Sequence, residues 1–226
     1  MDIQNSEQNN AVALRARLRQ ARAALPEAQR SRGGLLMRGR LFTWLNVVRE
    51  QAAKRGQQGP ATIAAFWPLE GEPDLRPLLE QWAQAGVALA LPAIRAAGEP
   101  LEFRAWTPGD ALSPGPYQVQ EPSADRPVLQ PDVILVPTLG YTAQADRLGY
   151  GGGYYDRTLA ALRDAGHDYT AIGVAWNEGL LDVGYRPAAH DVRLDAVLTP
   201  DGWVPHPPVL GPDAPTGGTF GSYVLR

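Results

Sequence analysis

Short apolar runs bounded by turn residues, with helix-length stretches between them, limit this chain to few architectures. Segments 61–67, 87–92, 132–137, 171–176 and 194–199 are six or seven residues long and almost wholly apolar. Runs of that length suit strands buried on both faces, and the intervening stretches 75–85 and 154–165 carry helical spacing. The expected fold is therefore α/β, a mostly parallel sheet with helices on both faces, a Rossmann-like three-layer sandwich. Segment 101–106 alternates with period two and reads as a half-exposed strand, and 107–131, rich in Pro and Gly, reads as mostly loop. A helix is expected over 28–54, bent near Gly33-Gly34 or Gly39. One domain over 11–200 follows, with a disordered lead over 1–10 and a Pro/Gly-rich, poorly ordered tail over 201–226.

Composition removes several classes of function. With no cysteine, disulfides, thiolate catalysis and Cys-ligated zinc are excluded, and with only His167, His190 and His206 a multi-histidine metal site is not expected. No apolar run reaches membrane-spanning length and no export signal is present, so a cytoplasmic protein without a membrane partner is expected. The net charge of −3 hides an asymmetry. Residues 1–55 hold eleven Arg or Lys against four acids, a balance of +7, leaving −10 for the remainder. Within a helical segment Arg15, Arg19 and Arg22 form one stripe at i, i+4 and i+7. A solvated basic face and an anion-facing element both explain it. A nucleic acid is not the expected partner, because the acidic remainder would repel a duplex.

The chemistry concentrates at 147–157, which reads Arg-Leu-Gly-Tyr-Gly-Gly-Gly-Tyr-Tyr-Asp-Arg. Arg147, Leu148, Gly149, Tyr150, Gly151, Gly152 and Gly153 lie between a strand and a helix opening at Tyr154, Tyr155 and Asp156. There backbone N–H groups and a helix N-terminus can take a phosphate, and Arg147 and Arg157 add charge. A bare tight turn is the competing explanation, although it needs neither the arginines nor the tyrosines. The spacing is not G-x-G-x-x-G, and the sole lysine, Lys54, rules out a Walker motif. Ligands of such sheets bind beyond the carboxyl ends of the strands. That rule collects Trp67, Glu70 and Glu72, the loops after Pro137 and Trp176, and His190-Asp191. Glu72 reads equally as a helix-start charge or a ligand contact, His190-Asp191 as a local cap or a site pair, and Asp156 as a helix-start charge or part of the site.

These residues resemble the 5-formyltetrahydrofolate cyclo-ligase family, also called methenyltetrahydrofolate synthetases. Besides the glycine loop, the resemblance runs through Leu14-Arg15, Phe66-Trp67-Pro68-Leu69 with Glu72, Leu91-Pro92, Phe103, Glu121-Pro122, 172–175, and His190-Asp191 with Leu194-Asp195. It implies an ATP-dependent C–N ligase of one-carbon folate metabolism that uses ATP and Mg²⁺ to close 5-formyltetrahydrofolate to 5,10-methenyltetrahydrofolate. By the same resemblance, Arg15 and the loop from Arg147 to Asp156 hold ATP, and Trp67 and Glu72 border the reduced folate. Arg147 and Tyr154 are the catalytic candidates, with Tyr154 or Tyr155 near the transferred phosphoryl group. A monomer is expected and the metal ligands are unassigned. Three departures stand out. Ala11 occupies a lysine position, Thr142 stands where the pattern has Asp, with Asp146 four residues on as a stand-in, and the C-terminal tail is extra. The alternatives are a related enzyme acting on another N-formyl compound, a nucleotide- or folate-binding relative without turnover, and a basic-helix RNA binder.

Overall fold

The computed structural model describes residues 2–209, with side chains from residue 11 onward. The tail at 210–226 and Met1 lie outside the described residues. A seven-stranded sheet takes the order β11-β10-β9-β6-β1-β2-β3. Its strands are β1 (Thr62–Ala64), β2 (Ala88–Ala93), β3 (Glu102–Trp106), β6 (Val133–Pro137), β9 (Thr170–Val174), β10 (Ala196–Leu198) and β11 (Trp203–Val204). The five central strands are parallel, whereas β3 and β11 run antiparallel to their neighbours at the two margins. The mostly parallel sheet read from the apolar runs is thus present.

Burial of both faces is visible residue by residue. Ile63, Leu89, Leu91, Val133, Leu135, Ile172 and Val174 face one core, shared with helices α2 (Glu27–Lys54) and α3 (Arg76–Gln84). Their alternating neighbours Ala64, Ala90, Ile134, Val136 and Ala171 face a second core under α4 (Tyr154–Asp164). Successive side chains on a strand point to opposite faces, so continuous apolar runs are what a sheet covered on both sides requires. Among the described residues, no helix is long and apolar enough to cross a membrane.

Several local expectations change. Helix α2 is continuous through Gly33, Gly34 and Gly39. Gly33 serves packing: a Cβ there would stand 2.6 Å from the Trp176 ring and 3.0 Å from Pro200. Helix α1 spans Asp2–Ala23, so its backbone takes in the polar lead, which contains neither Gly nor Pro. The 107–131 segment, read as mostly loop, forms a hairpin of β4 (Leu112–Pro114) and β5 (Gln120–Pro122). The first residues of the 201–226 stretch take part in the fold. Trp203 and Val204 add β11, Trp203 lies against Trp44 with ring centroids 5.9 Å apart, and Trp44 Nε1 donates to Pro208 O at 2.9 Å.

Buried phenols make the fold sensitive to alkali. Burial pushes Tyr141, 4% exposed in β7 (Gly140–Tyr141), up to about 12. An unfolded chain releases that proton near pH ~10. Between these values the folded state holds more protons, so stability is intact below the unfolded value and falls as pH rises through the folded one. Tyr141→Phe should therefore lose less stability than the parent from pH 9 to pH 12, by up to about 2–3 kcal/mol in urea midpoints. Parallel losses in both proteins would contradict this.

Candidate functional site

Chain order explains where the cleft opens. From β1 the chain crosses first to β2 on one side and later to β6 on the other, which makes a topological switch point between β1 and β6. Beyond the carboxyl ends of these strands lies a cleft of about 390 Å³, within the usual size for a small-molecule site. Arg15, Trp67, Glu72 and the whole run 147–156 line it, together with His190 and Asp191. Glu70 is not among the lining residues. The loop after Trp176 borders a smaller hollow of about 10 Å³ behind Glu72, room for about one water.

The basic stripe of α1 turns toward the glycine loop. Arg15 Nε donates to Gly149 O at 2.9 Å, and Arg19 Nη2 lies 3.4 Å from Tyr150 O. Arg22 Nη1 donates to the Tyr150 hydroxyl at 2.5 Å. From the far side Arg157 Nη2 donates to Gly152 O at 2.8 Å, with its guanidinium 4.9 Å from the Tyr154 ring centroid. Thus the arginines clamp loop carbonyls as well as charging the cleft. Glycine is required at 153, where φ is 64° and a Cβ would stand 2.7 Å from Arg157 Nη1, and at 151, where φ is 102°.

Arg147, at the start of β8 (Arg147–Leu148), is buried. Its Nη2 donates to Asp156 Oδ2 at 2.6 Å, while Asp156 Oδ1 accepts the Val192 N–H at 3.2 Å. Asp156 is therefore more than a helix-start charge: it anchors Arg147 and ties α4 to the 192 segment. Arg147 Nε and the Tyr155 hydroxyl are buried without a partner among the described residues. Such donors are costly to leave unsatisfied and mark a place for an acceptor-rich ligand. Burial above all, and then the Glu72 charge, pushes the Tyr155 phenol well above its ordinary range, which keeps it a donor.

Glu72 is not at a helix start, because α3 begins at Arg76. It sits in a turn, with Oε2 accepting the Leu69 N–H at 2.9 Å and Oε1 accepting the Tyr150 hydroxyl; Arg22 Nη1 is 3.8 Å away. Burial first, and then the Glu72 charge, pushes the Tyr150 phenol well above the usual tyrosine range. One carboxylate thereby links the glycine loop to the opposite wall. Trp67 stands edge-on to Trp106 at 5.7 Å, with the Arg76 guanidinium 5.7 Å from its ring centroid.

Two candidates take different places. Asp146 is not on the cleft wall; its carboxylate lies against the Thr142 side chain, accepting from Thr142 Oγ1 at 2.9 Å and from Arg193 Nε at 2.8 Å. Asp191 does cap local backbone, accepting the Ala188 N–H at 2.8 Å, while also bordering the cleft. Sequence reasoning did not assign Tyr117 or Glu121 to the site, yet both line it. The signal available for Glu121 was its place in the Glu121-Pro122 piece of the family resemblance, whereas Tyr117 lay in a segment too rich in Pro and Gly to read as structure.

Comparison with known proteins agrees with this geometry. The sequence pattern of the 5-formyltetrahydrofolate cyclo-ligase family matches residues 7–200. The chain is similar to 5-formyltetrahydrofolate cyclo-ligase of Escherichia coli K12, with 32% identity over 86% of this chain and 96% of that protein. It is also similar to the enzyme of the same name from Mycolicibacterium smegmatis, with 33% identity over 83% and 92% of the two chains. In fold it resembles the solved 5,10-methenyltetrahydrofolate synthetase of Aquifex aeolicus, with a TM-score of 0.68 and 24% identity over 85% of this chain and 91% of that one.

Proposed function

The chain belongs to the 5-formyltetrahydrofolate cyclo-ligase family, and on that premise we propose that its cleft brings ATP and 5-formyltetrahydrofolate together and yields 5,10-methenyltetrahydrofolate, ADP and phosphate. The carrying observation is the pairing of a clamped glycine loop, with unpartnered donors at Arg147 Nε and Tyr155, and an aromatic and carboxylate wall at Trp67 and Glu72 in one cleft.

The chemistry asks for positioning. The formyl oxygen attacks the γ-phosphorus and ADP leaves. N10 then adds to the activated carbon and gives up its proton, and the C–O bond breaks to release phosphate. Little covalent work falls to the protein, so loop amides, Arg15 and Arg147 hold and neutralise the phosphates. In this reading Arg147 is oriented by Asp156, Tyr154 and Tyr155 border the transferred group, Trp67 supplies a flat face for the pterin and Glu72 faces its ring N–H groups. Among the described residues no group of three or more His, Asp and Glu side chains could cage a cation. Mg²⁺ would ride on the substrate phosphates, completed by water and by one or two carboxylates at most. In this reading the enzyme works as a monomer in the cytoplasm.

Purified protein supplied with 5-formyltetrahydrofolate and MgATP should develop the absorbance of the methenyl product. ATP binding without product would leave a binding protein and sink the reaction assigned here. Glu72→Gln should raise the KM for the folate about tenfold or more at saturating ATP, as expected for losing a charged hydrogen-bond acceptor, and change the KM for ATP less. A larger rise for ATP than for folate would contradict the role given to Glu72.

A further inference from the structure

The β4–β5 hairpin forms a wall of the cleft, and none of its residues has yet been given a part in binding. At its tip Tyr117 and Gln118 both have left-handed backbone, with φ of 57° and 61°, a conformation that non-glycine residues hold only where their surroundings impose it. The tip is closed by the Gly115 N–H donating to Val119 O at 2.8 Å, and the Tyr117 ring meets Tyr154 of the glycine loop at 5.9 Å. This rigid tip leads into Glu121, whose side chain enters the cleft.

Glu121 is a buried carboxylate, 9% exposed, and among the described residues no ion pair is formed by it. Its Oε1 accepts the Ile94 N–H at 3.0 Å, and among the described residues no protein donor reaches Oε2. A side chain at Gly115 would overlap the carboxyl group, so the absent Cβ makes room for it. Strands β1 and β2 are parallel and in register, Ala64 opposite Ala90, so the residues that follow them, Trp67 and Ile94, border the same part of the cleft. Ile94 in turn fixes Glu121. A carboxylate with one oxygen already held therefore has the other free to serve the cleft that Trp67 also lines.

Resting on the reading given under Proposed function, we propose that Glu121 is a substrate-positioning residue that accepts the N–H donors on the 2-amino-4-oxopyrimidine edge of the reduced folate. The donor pattern favours this ring over adenine. The pyrimidine edge carries an exocyclic amine next to a ring N–H, two adjacent donors that match a carboxylate. Adenine's amine is flanked by ring nitrogens that are acceptors and repel it. Glu72 does not fill this role alone, since both of its oxygens already accept protein donors, Leu69 N–H and the Tyr150 hydroxyl. The loop wall carries the guanidinium groups of Arg15, Arg19 and Arg157, whereas Glu121 brings a carboxylate, so the two walls are chemically distinct: one for phosphates, one for a donor-rich ring.

The test uses equilibrium binding, so it does not depend on turnover. Dissociation constants of 5-formyltetrahydrofolate, its 2-desamino analogue and ATP are measured for the parent and for Glu121→Gln, which keeps an oxygen for the Ile94 N–H. The parent should prefer the natural folate over the analogue by about tenfold or more, the gain of a charge-assisted bond. Glu121→Gln should lose that preference by weakening only the natural ligand, with ATP affinity and melting temperature unchanged. Equal weakening of both folates, no weakening of either, or selective loss of ATP would overturn the proposal. So would a parent that binds the two folates alike, a result that stands even if the variant fails to fold. A parent that binds the folates but forms no product would instead defeat the reaction and leave this assignment intact; one that binds no folate defeats both.

Discussion

Arg147→Ala should destabilise the fold by about 3–5 kcal/mol and weaken ATP binding by about tenfold or more, with a much smaller effect on folate. The side chains of Arg147 and Asp156 are only 5% and 11% exposed and meet at 2.6 Å. Taking away the guanidinium strands a buried carboxylate whose remaining bond is a 3.2 Å contact to the Val192 N–H. The cost arises from that uncompensated charge, not from any large net worth of the pair. A double variant, Arg147→Met with Asp156→Leu, should recover most of the stability, because buried pairs are commonly replaceable by apolar groups. It should not recover ATP affinity. Urea midpoints and calorimetric titrations separate the two. A single variant within about 1 kcal/mol of the parent, or equal losses of ATP and folate affinity, would remove Arg147 from the role assigned to it.

The second large effect is expected at Trp176, at the join between packing and substrate. Its ring fills the space left by Gly33 against α2, and its Nε1 donates to Gly71 O at 2.7 Å, fixing the turn that carries Glu72. Trp176→Ala should cost about 3–5 kcal/mol, the range for emptying an aromatic site in a core. It should also raise the folate KM by releasing that turn. Trp176→Phe keeps much of the packing and loses the hydrogen bond, so about 1 kcal/mol is expected, with most of the KM effect retained. If Phe restores both stability and KM, the bond to Gly71 does nothing for the site.

The sheet was legible because burial on two faces writes itself as unbroken apolar runs, as in Val133–Pro137 and Thr170–Val174. The glycine loop was legible because its spacing, arginines and tyrosines are all local in sequence. What was not legible depends on residues far apart in the chain. That Asp156 holds Arg147, and that Tyr150 and Leu69 engage Glu72, cannot be read from the local sequence of either residue. The β4–β5 hairpin was missed because its turn residues outnumber its strand residues. Pairing by β11 was missed because two residues carry no periodicity.

The antiparallel margins of the sheet have a bearing on how this protein behaves in a crowded solution. A bare rim of amides and carbonyls would invite ribbon growth between molecules. Here β3 is hemmed by the strip through Pro127 and Leu129, where the Ala105 N–H donates to Pro127 O and the Leu129 N–H to Phe103 O. At the opposite rim β11 is two residues long and runs into Pro205, Pro207 and Pro208, none of which has an N–H to lend a neighbour. Both rims are closed to further strands, which protects a chain dense in apolar strands from stacking into fibres.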